Sequence, residues 1–264
     1  MAVLQAKAAA VVGPLADSSA GDQNPSLSVI VPMLNEASGL ADFLQTNLPR
    51  LPKSSEIILV DGGSSDASLA IAAELLSELS SLKAIEPSVQ VFESPAGRAR
   101  QMNAGAKLAT GHYLMFLHAD TILPSDFSVD FERWTESGPT WGFSPVQLDG
   151  PQLWCRIIES SINLRTCITS GASGDQTIVL QAEKFRELEG YREIDLMEDI
   201  DLSYRLRRQS RPRRFTQAVT TSSRRWKEGG VFRTVLMMWF LRLSFRLGVA
   251  PGRLALIYSR LYRI

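Results

Sequence analysis

From Leu27 onward, hydrophobic positions along the chain follow two alternating rhythms. Short apolar, β-branched runs at 28–31, 56–60, 88–92 and 113–117 read as strands. Between them, Leu40, Phe43, Leu44 and Leu48 recur at i, i+3, i+4 and i+8, and Ile71, Leu75, Leu79 and Leu82 repeat that helical face. A third helix is predicted over 97–108. Strand and helix in alternation predict right-handed βαβ units, hence an α/β fold with a mostly parallel sheet covered on both faces. Such sheets bind ligands in the crevice beyond the carboxyl ends of their strands. The residues just after each strand are therefore the ones to inspect.

After Pro124 the alternation loosens. Phe127, Phe131 and Trp134 make one helix face, 141–146 reads as a strand, 154–166 as a helix and 177–180 as another strand, with helices from Glu183 and from about Glu198. Residues 1–25 read as a mobile extension: Lys7 interrupts the apolar stretch 1–12, which makes a poor secretory signal, and 13–26 has linker composition. A single domain over 26–230 is expected, followed by a helical segment over 231–264. That segment is apolar but interrupted by Arg233, Arg242 and Arg246, with too few residues between them to span a bilayer. It either packs on the domain or lies at a membrane surface with its arginines toward anionic lipid. On one straight helix Arg233 faces away from Arg242, which spoils a clean amphipathic stripe, and Pro251-Gly252 is expected to break any helix before 254–262.

Composition narrows the class. Among 264 residues, 45% are hydrophobic and 21% charged, which excludes a disordered chain, a collagen-like fibre and a polytopic membrane protein. The 28 basic and 28 acidic side chains cancel, but unevenly: residues 1–204 hold 13 Lys/Arg against 27 Asp/Glu, and residues 205–264 hold 15 against Glu228 alone. A basic end on an acidic body suits phosphates, nucleic acid or anionic lipid, or is neutralised within the fold. Its arginines are interleaved with bulky apolar residues, which argues for packed helices over a nucleic-acid-binding arm. Cys155, Cys167, His112 and His118 are too few for a disulfide framework or a histidine-rich metal centre, and the cytosol is the default compartment.

At the strand ends the chemistry gathers. Pro32-Met33-Leu34-Asn35-Glu36 lacks the glycine-rich turn of a dinucleotide fold and either lines a base or ribose pocket or caps a helix through Asn35 or Ser38. Asp61-Gly62-Gly63-Ser64-Ser65-Asp66 offers close backbone approach and a carboxylate, Asp61, with little packing reason to exist. Asp66 reads as the cap of the next helix. The helix from Gly97 points free N–H groups outward, with Arg98 or Arg100 available to phosphate oxygens, or else presents a solvated basic face. His118-Ala119-Asp120 offers ligands for one divalent cation, or a strand-end turn. In Glu198-Asp199-Ile200-Asp201, acidic residues precede Arg205, Arg207 and Arg208 as the helix dipole prefers, with Asp201 and Arg205 at i, i+4; one carboxylate is alternatively a general base. Ser223-Arg224-Arg225-Trp226 brings guanidinium and an aromatic wall, or is a surface strand.

Taken in order, these segments resemble family 2 glycosyltransferases of the GT-A fold, over residues 27 to about 262. Gly97-Arg98-Ala99-Arg100-Gln101-Met102-Asn103, Leu117-His118-Ala119-Asp120-Thr121, Gly174-Asp175-Gln176, Met197-Glu198-Asp199 and Ser223-Arg224-Arg225-Trp226 are similar to the small stand-alone subgroup assigned to arsenosugar biosynthesis. The resemblance implies that Pro32, Glu36 and Asp61 contact the nucleoside of an activated sugar, with Arg98 near the nucleotide. It makes Asp120 the metal ligand ending a D-x-D motif, for Mn2+ or Mg2+, and Asp199 the catalytic base. Asp175, Gln176, Glu198, Arg225 and Trp226 then border the diphosphate, sugar or acceptor. His118 stands where the family's first aspartate usually sits, as in that subgroup, which leaves one carboxylate for the metal. The implied reaction is a single inverting displacement of a UDP- or GDP-linked sugar by the hydroxyl of a small-molecule or lipid acceptor. The alternatives are a nucleotidyltransferase acting on a sugar phosphate and an inactive nucleotide-binding module. The first wants a glycine-rich basic loop after the first strand, which 32–36 is not.

Overall fold

The computed structural model describes residues 26–81 and 87–262. The expected extension over 1–25, Leu82 and the side chain of Leu79 lie outside the described residues. The first half builds as the sequence pattern predicts: β1 (Leu27–Met33), α1 (Leu40–Asn47), β2 (Ser55–Asp61), α2 (Ser68–Ser81), β3 (Ser88–Glu93), α3 (Arg98–Leu108) and β4 (Tyr113–Phe116). These four strands lie side by side in the order β3-β2-β1-β4, all parallel, with Val29 opposite Ile57 and Met115.

Period-two alternation divides the core between the two sheet faces. Val29, Val31, Ile57 and Leu59 pack toward α1, α2 and α4 (Phe127–Thr135), whereas Ile30, Ile58 and Val60 pack toward α3. α3 sits close to the strands because Gly105 carries no Cβ: one there would lie 2.6 Å from Ile30 Cγ2 and 3.0 Å from Val60 Cγ2. That close approach brings the N-terminus of α3 level with the carboxyl ends of β1 and β2. At the opposite end of the sheet the buried Glu56 carboxylate accepts bonds from Ser28 Oγ and from the Thr110 amide and hydroxyl, at 2.6, 2.7 and 2.9 Å.

The second half extends the sheet and adds a smaller one. Its elements are β5 (Thr121–Ile122), β6 (Trp141–Phe143), β7 (Val146–Leu148), α5 (Leu153–Thr169), β8 (Ile178–Gln181), α6 (Ala182–Glu187), α7 (Glu198–Gln209), β9 (Arg213–Arg214), β10 (Val219–Thr221), α8 (Arg224–Gly229), α9 (Val231–Arg246) and α10 (Pro251–Tyr262). β8 joins β4 antiparallel, and β6 and β9 follow, which gives seven strands; β5, β10 and β7 form a separate three-stranded sheet. α6 and α7 cover the face that α3 begins.

Four expectations need correction. The single strand over 141–146 is two strands in different sheets. Pro145 has no amide to give to a ladder, Ser144 N–H turns to Gln176 O at 2.8 Å, and the Pro145 carbonyl accepts Val219 N–H at 2.9 Å. The segment 223–226 is the start of a helix, not a surface strand. The C-terminal helix begins at Pro251 itself, because proline at a first helical position loses only an amide that has no partner there. Neither Asn35 nor Ser38 caps α1, whose N-cap is Gly39. Asn35 instead adopts a left-handed φ of 57° and accepts the Ser65 amide on its Oδ1.

Candidate active site

The loop after β2 is organised by Asp61. Its Oδ2 accepts the Gly63 and Ser64 amides at 2.8 and 2.9 Å, its Oδ1 accepts the Ser64 hydroxyl, and the residue is 2% exposed. Asp61 thus shapes the crevice floor, a packing reason that the sequence did not reveal. Gln101, one turn into α3, spans the two adjacent strand ends: its amide donates to the Met33 and Val60 carbonyls, both at 2.8 Å. Gly62 is required for that bridge, since a Cβ there would lie 2.9 Å from the Gln101 carboxamide. Pro32 is half-buried in β1, opposite Val60. Asp66 accepts the Ser68 amide at 2.9 Å, as a cap should, and also ties across to the Ala37 amide.

Beyond β1 and β4 negative charge accumulates. Burial pushes the Glu36 carboxyl above its ordinary value, Asp120 and then Asp66 push it further, and Arg224 and His118 oppose them. Asp120 is exposed at the end of β4. His118 Nδ1 lies 3.4 Å from Asp175 Oδ1, and its Nε2 abuts the backbone of Gly174 so closely that a Cβ there would sit 2.4 Å away.

The short turn Gly174–Gln176 is the junction of the site. Gly174 N–H donates to Asp199 Oδ2 at 2.6 Å, and Asp199 Oδ1 accepts the Ile200 amide at 2.6 Å. One turn therefore holds both His118, through Asp175, and the Asp199 carboxylate at the N-terminus of α7. Gln176 is fully buried and serves the turn itself: with Ser173 it completes a capping box, and its Oε1 accepts Thr166 Oγ1 at 2.7 Å. It packs beneath the site and does not line it.

Glu198 precedes Asp199 and is buried. Burial raises its pKa, Asp199 raises it further, and Arg98 pulls it down from 3.7 Å away. Asp199 is only half-buried, so its remaining lone pairs are reachable. Arg98 itself is half-exposed at the first residue of α3, where it can leave Glu198 for a phosphate oxygen. Asp201 and Arg205 pair at 2.8 Å as their spacing predicts, and Arg192 adds a second contact at 3.0 Å. Trp226 packs with Leu148, Cys155 and Ile158 in an apolar cluster, and the side chain of Arg225 lies outside the described residues.

Several contributors escaped the sequence reading. Arg224, next to the expected Arg225, is the arginine whose charge reaches Glu36. Asn103 clamps the Tyr191 backbone through both its amide and its carbonyl, at 2.8 and 2.9 Å. Arg165 is half-buried below Asp199 and Asp175. Burial lowers its pKa against the pull of those two carboxylates, and its Nη2 donates to Thr166 Oγ1 at 3.0 Å. The signal for Gln101 was its place one turn before Gly105 on the sheet-facing side of α3; Asn103 lies on nearly the opposite side, and Arg165 lay in a segment with no pattern but helix.

The architecture, a parallel sheet with one reversed strand and helices on both faces, is that of the GT-A fold. Comparison with known proteins agrees. Residues 28–135 match the Glycosyl transferase family 2 model. The chain is 36% identical over 99 residues to a PGL/p-HBAD biosynthesis glycosyltransferase of Mycobacterium bovis, a match covering 38% of this chain and 37% of that protein. It is 29% identical over 170 residues to an uncharacterized glycosyltransferase of Haemophilus influenzae, covering 62% of this chain and 65% of that one. The fold is shared with the mannosyltransferase PcManGT of Pyrobaculum calidifontis in complex with GDP-Man and Mn2+, with a TM-score of 0.63 at 19% identity over 90% of this chain and 70% of that one. It is shared also with S. aureus TarS in complex with UDP, with a TM-score of 0.58 at 17% identity over 75% of this chain and 60% of that one. The chain thus spans little more than a third of the length of the mycobacterial relatives.

Proposed function

We propose that this protein is an inverting glycosyltransferase that moves a sugar from a UDP- or GDP-linked donor to an acceptor hydroxyl. The observation that carries the reading is the Gly174–Gln176 turn, which binds Asp199 by a 2.6 Å backbone bond and His118 through Asp175 at 3.4 Å. Donor-side and acceptor-side chemistry are thereby fixed to one short piece of backbone, the preorganisation a displacement reaction needs.

The roles follow from exposure and charge. Asp199, the more accessible of the two adjacent carboxylates, takes the proton from the attacking hydroxyl. Glu198 is buried, which pushes its carboxyl above its ordinary value, and it pairs with Arg98 beneath the site. Arg98 and the free amides opening α3 receive the departing diphosphate. Pro32 and Glu36 border the nucleoside, and Asp61 acts on it through the loop that it shapes.

The charge at the strand ends suits a divalent cation. Glu36 is held above its ordinary range in part by Asp120, so an added positive charge there relieves repulsion. No cluster of three or more ligating side chains exists among the described residues, so a hard ion would take Asp120 from the protein and the rest of its shell from diphosphate and water. His118, engaged on both sides by Asp175 and Gly174, positions the turn. When bound, Mn2+ or Mg2+ supplies positive charge to the leaving diphosphate. The arsenosugar-type acceptor rests on the shared motifs alone, and the GDP-Man donor belongs to PcManGT.

The test is calorimetric titration with UDP and GDP, with and without Mn2+, followed by product analysis with the donor sugars. A nucleoside diphosphate should bind more tightly with metal, Asp120→Ala should abolish that gain, and Asp199→Asn should bind donor but not turn it over. Metal-independent binding that survives Asp120→Ala, or turnover by Asp199→Asn, overturns the assignment.

A further inference from the structure

α9 buries one face and exposes another. Thr234, Leu241 and Ser244 turn inward, and the helix packs with Met197 and Ile200 of the α7 entry and with Leu254 of α10. On the outward side stand Phe232, Leu236, Trp239, Phe240, Leu243 and Leu247, from 51% to 76% exposed. At roughly 100° per helical residue, these six fall within a single sector about 100° wide. Isolated exposed apolar residues need no explanation, but a contiguous row of this size on a helix marks a contact surface.

The arginines identify what it contacts. On the same helical projection Arg233 lies at one margin of the apolar sector, and Arg246, then Arg242, at the other. They face apart because they border the stripe from opposite sides, so the arrangement that spoils an amphipathic reading in the bare sequence completes one in the fold. Arg233 and Arg246 are exposed and Arg242 is half-buried, with Arg246 also lying over the Tyr204 ring at 6.0 Å, so long arginine stems flank the apolar face on both sides. α9 holds Arg233, Arg242 and Arg246 and no acidic residue, so a second copy of this surface would meet like charge. Among the described residues no helix is long and apolar enough to cross a membrane.

We propose that α9 docks the protein flat on an anionic lipid bilayer, with its apolar row in the headgroup–acyl boundary and its arginines on lipid phosphates. Trp239 in mid-row suits that boundary, where indole rings concentrate. α9 packs directly on Met197 and Ile200 at the start of α7, so docking brings the segment that carries Glu198 and Asp199 to the bilayer surface. The docking does not depend on the transferase reading, and its test needs no donor.

The experiment is co-sedimentation of the full chain with vesicles of phosphatidylcholine alone or mixed with phosphatidylglycerol, across a salt series. Binding should require phosphatidylglycerol and weaken with salt. Leu236→Gln with Leu243→Gln should reduce it at least about tenfold through lost apolar burial, without lowering the melting temperature, because both leucines are exposed. Arg246→Gln should cost about fivefold. Equal binding to neutral vesicles, no binding to either, or a double variant that binds like wild type overturns the proposal. So does self-association of the wild type that the double variant abolishes, which would give this face to a second copy.

Discussion

The turn at Gly174 is where a single methyl group should do the most damage. A Cβ built there would lie 2.4 Å from His118 Nε2 and 2.6 Å from His118 Cε1, about 1 Å inside ordinary contact. His118 cannot retreat freely, since its side chain is 11% exposed and its other nitrogen faces Asp175. Gly174→Ala must therefore push the imidazole or the turn by about 1 Å, and moving the turn lengthens the 2.6 Å bond to Asp199. Overpacking of this kind costs about 1–3 kcal/mol in stability. A misplacement of about 1 Å at the base lowers turnover about 100-fold. Urea unfolding and steady-state kinetics with the donor found by titration would measure both. His118→Ala in the Gly174→Ala background removes the clashing atoms and should recover much of the stability loss, so the cycle should show a coupling of about 1 kcal/mol or more. If Gly174→Ala unfolds and turns over like wild type, or if the two substitutions simply add, the turn is not the junction described here.

Other outcomes follow from buried polar groups. Gln101→Leu takes the shared side-chain donor from the Met33 and Val60 carbonyls, of which Met33 keeps the Gly62 amide at 2.9 Å, and should cost about 1–3 kcal/mol by urea unfolding. Gly142→Ala places a Cβ 1.9 Å from the Arg213 carbonyl, between β6 and β9, and should lower the thermal midpoint more than any exposed-site change; a normal midpoint would contradict the pairing. Glu198 binds its proton more tightly folded than unfolded, so stability should fall as pH climbs from the ordinary glutamate range through the raised folded value. The slope is at most about 1.4 kcal/mol per pH unit, and Glu198→Gln should flatten it. An unchanged pH profile in that variant would place the titration elsewhere.

What the sequence disclosed was what local rhythm encodes. Strands buried on both faces and helices with one apolar side placed β1 to β4 and α1 to α4 within a few residues, and the i, i+4 spacing of Asp201 and Arg205 anticipated their ion pair. What stayed hidden depends on contacts distant in sequence. Asp61 has a clear structural task only once the loop after β2 folds back onto it, and the reach of Arg224 toward Glu36 requires β10 to lie beside β5. The break at Pro145 was visible as a proline, yet its consequence needed a second sheet to receive the chain.

That second sheet also fixes the order in which the molecule can be completed. β10 is its middle strand, pairing Thr221 with Thr121 on one side and Val219 with Val146 on the other. A segment made late in synthesis thus fills the space between two made much earlier. While the ribosome is still adding residues, the parallel strands β1 to β4 can already pair with one another. The surroundings of Asp120 cannot yet form, because Arg224 reaches them only after β10 has inserted. A nascent chain thereby lacks the completed surroundings of Asp120 until its C-terminal quarter has emerged.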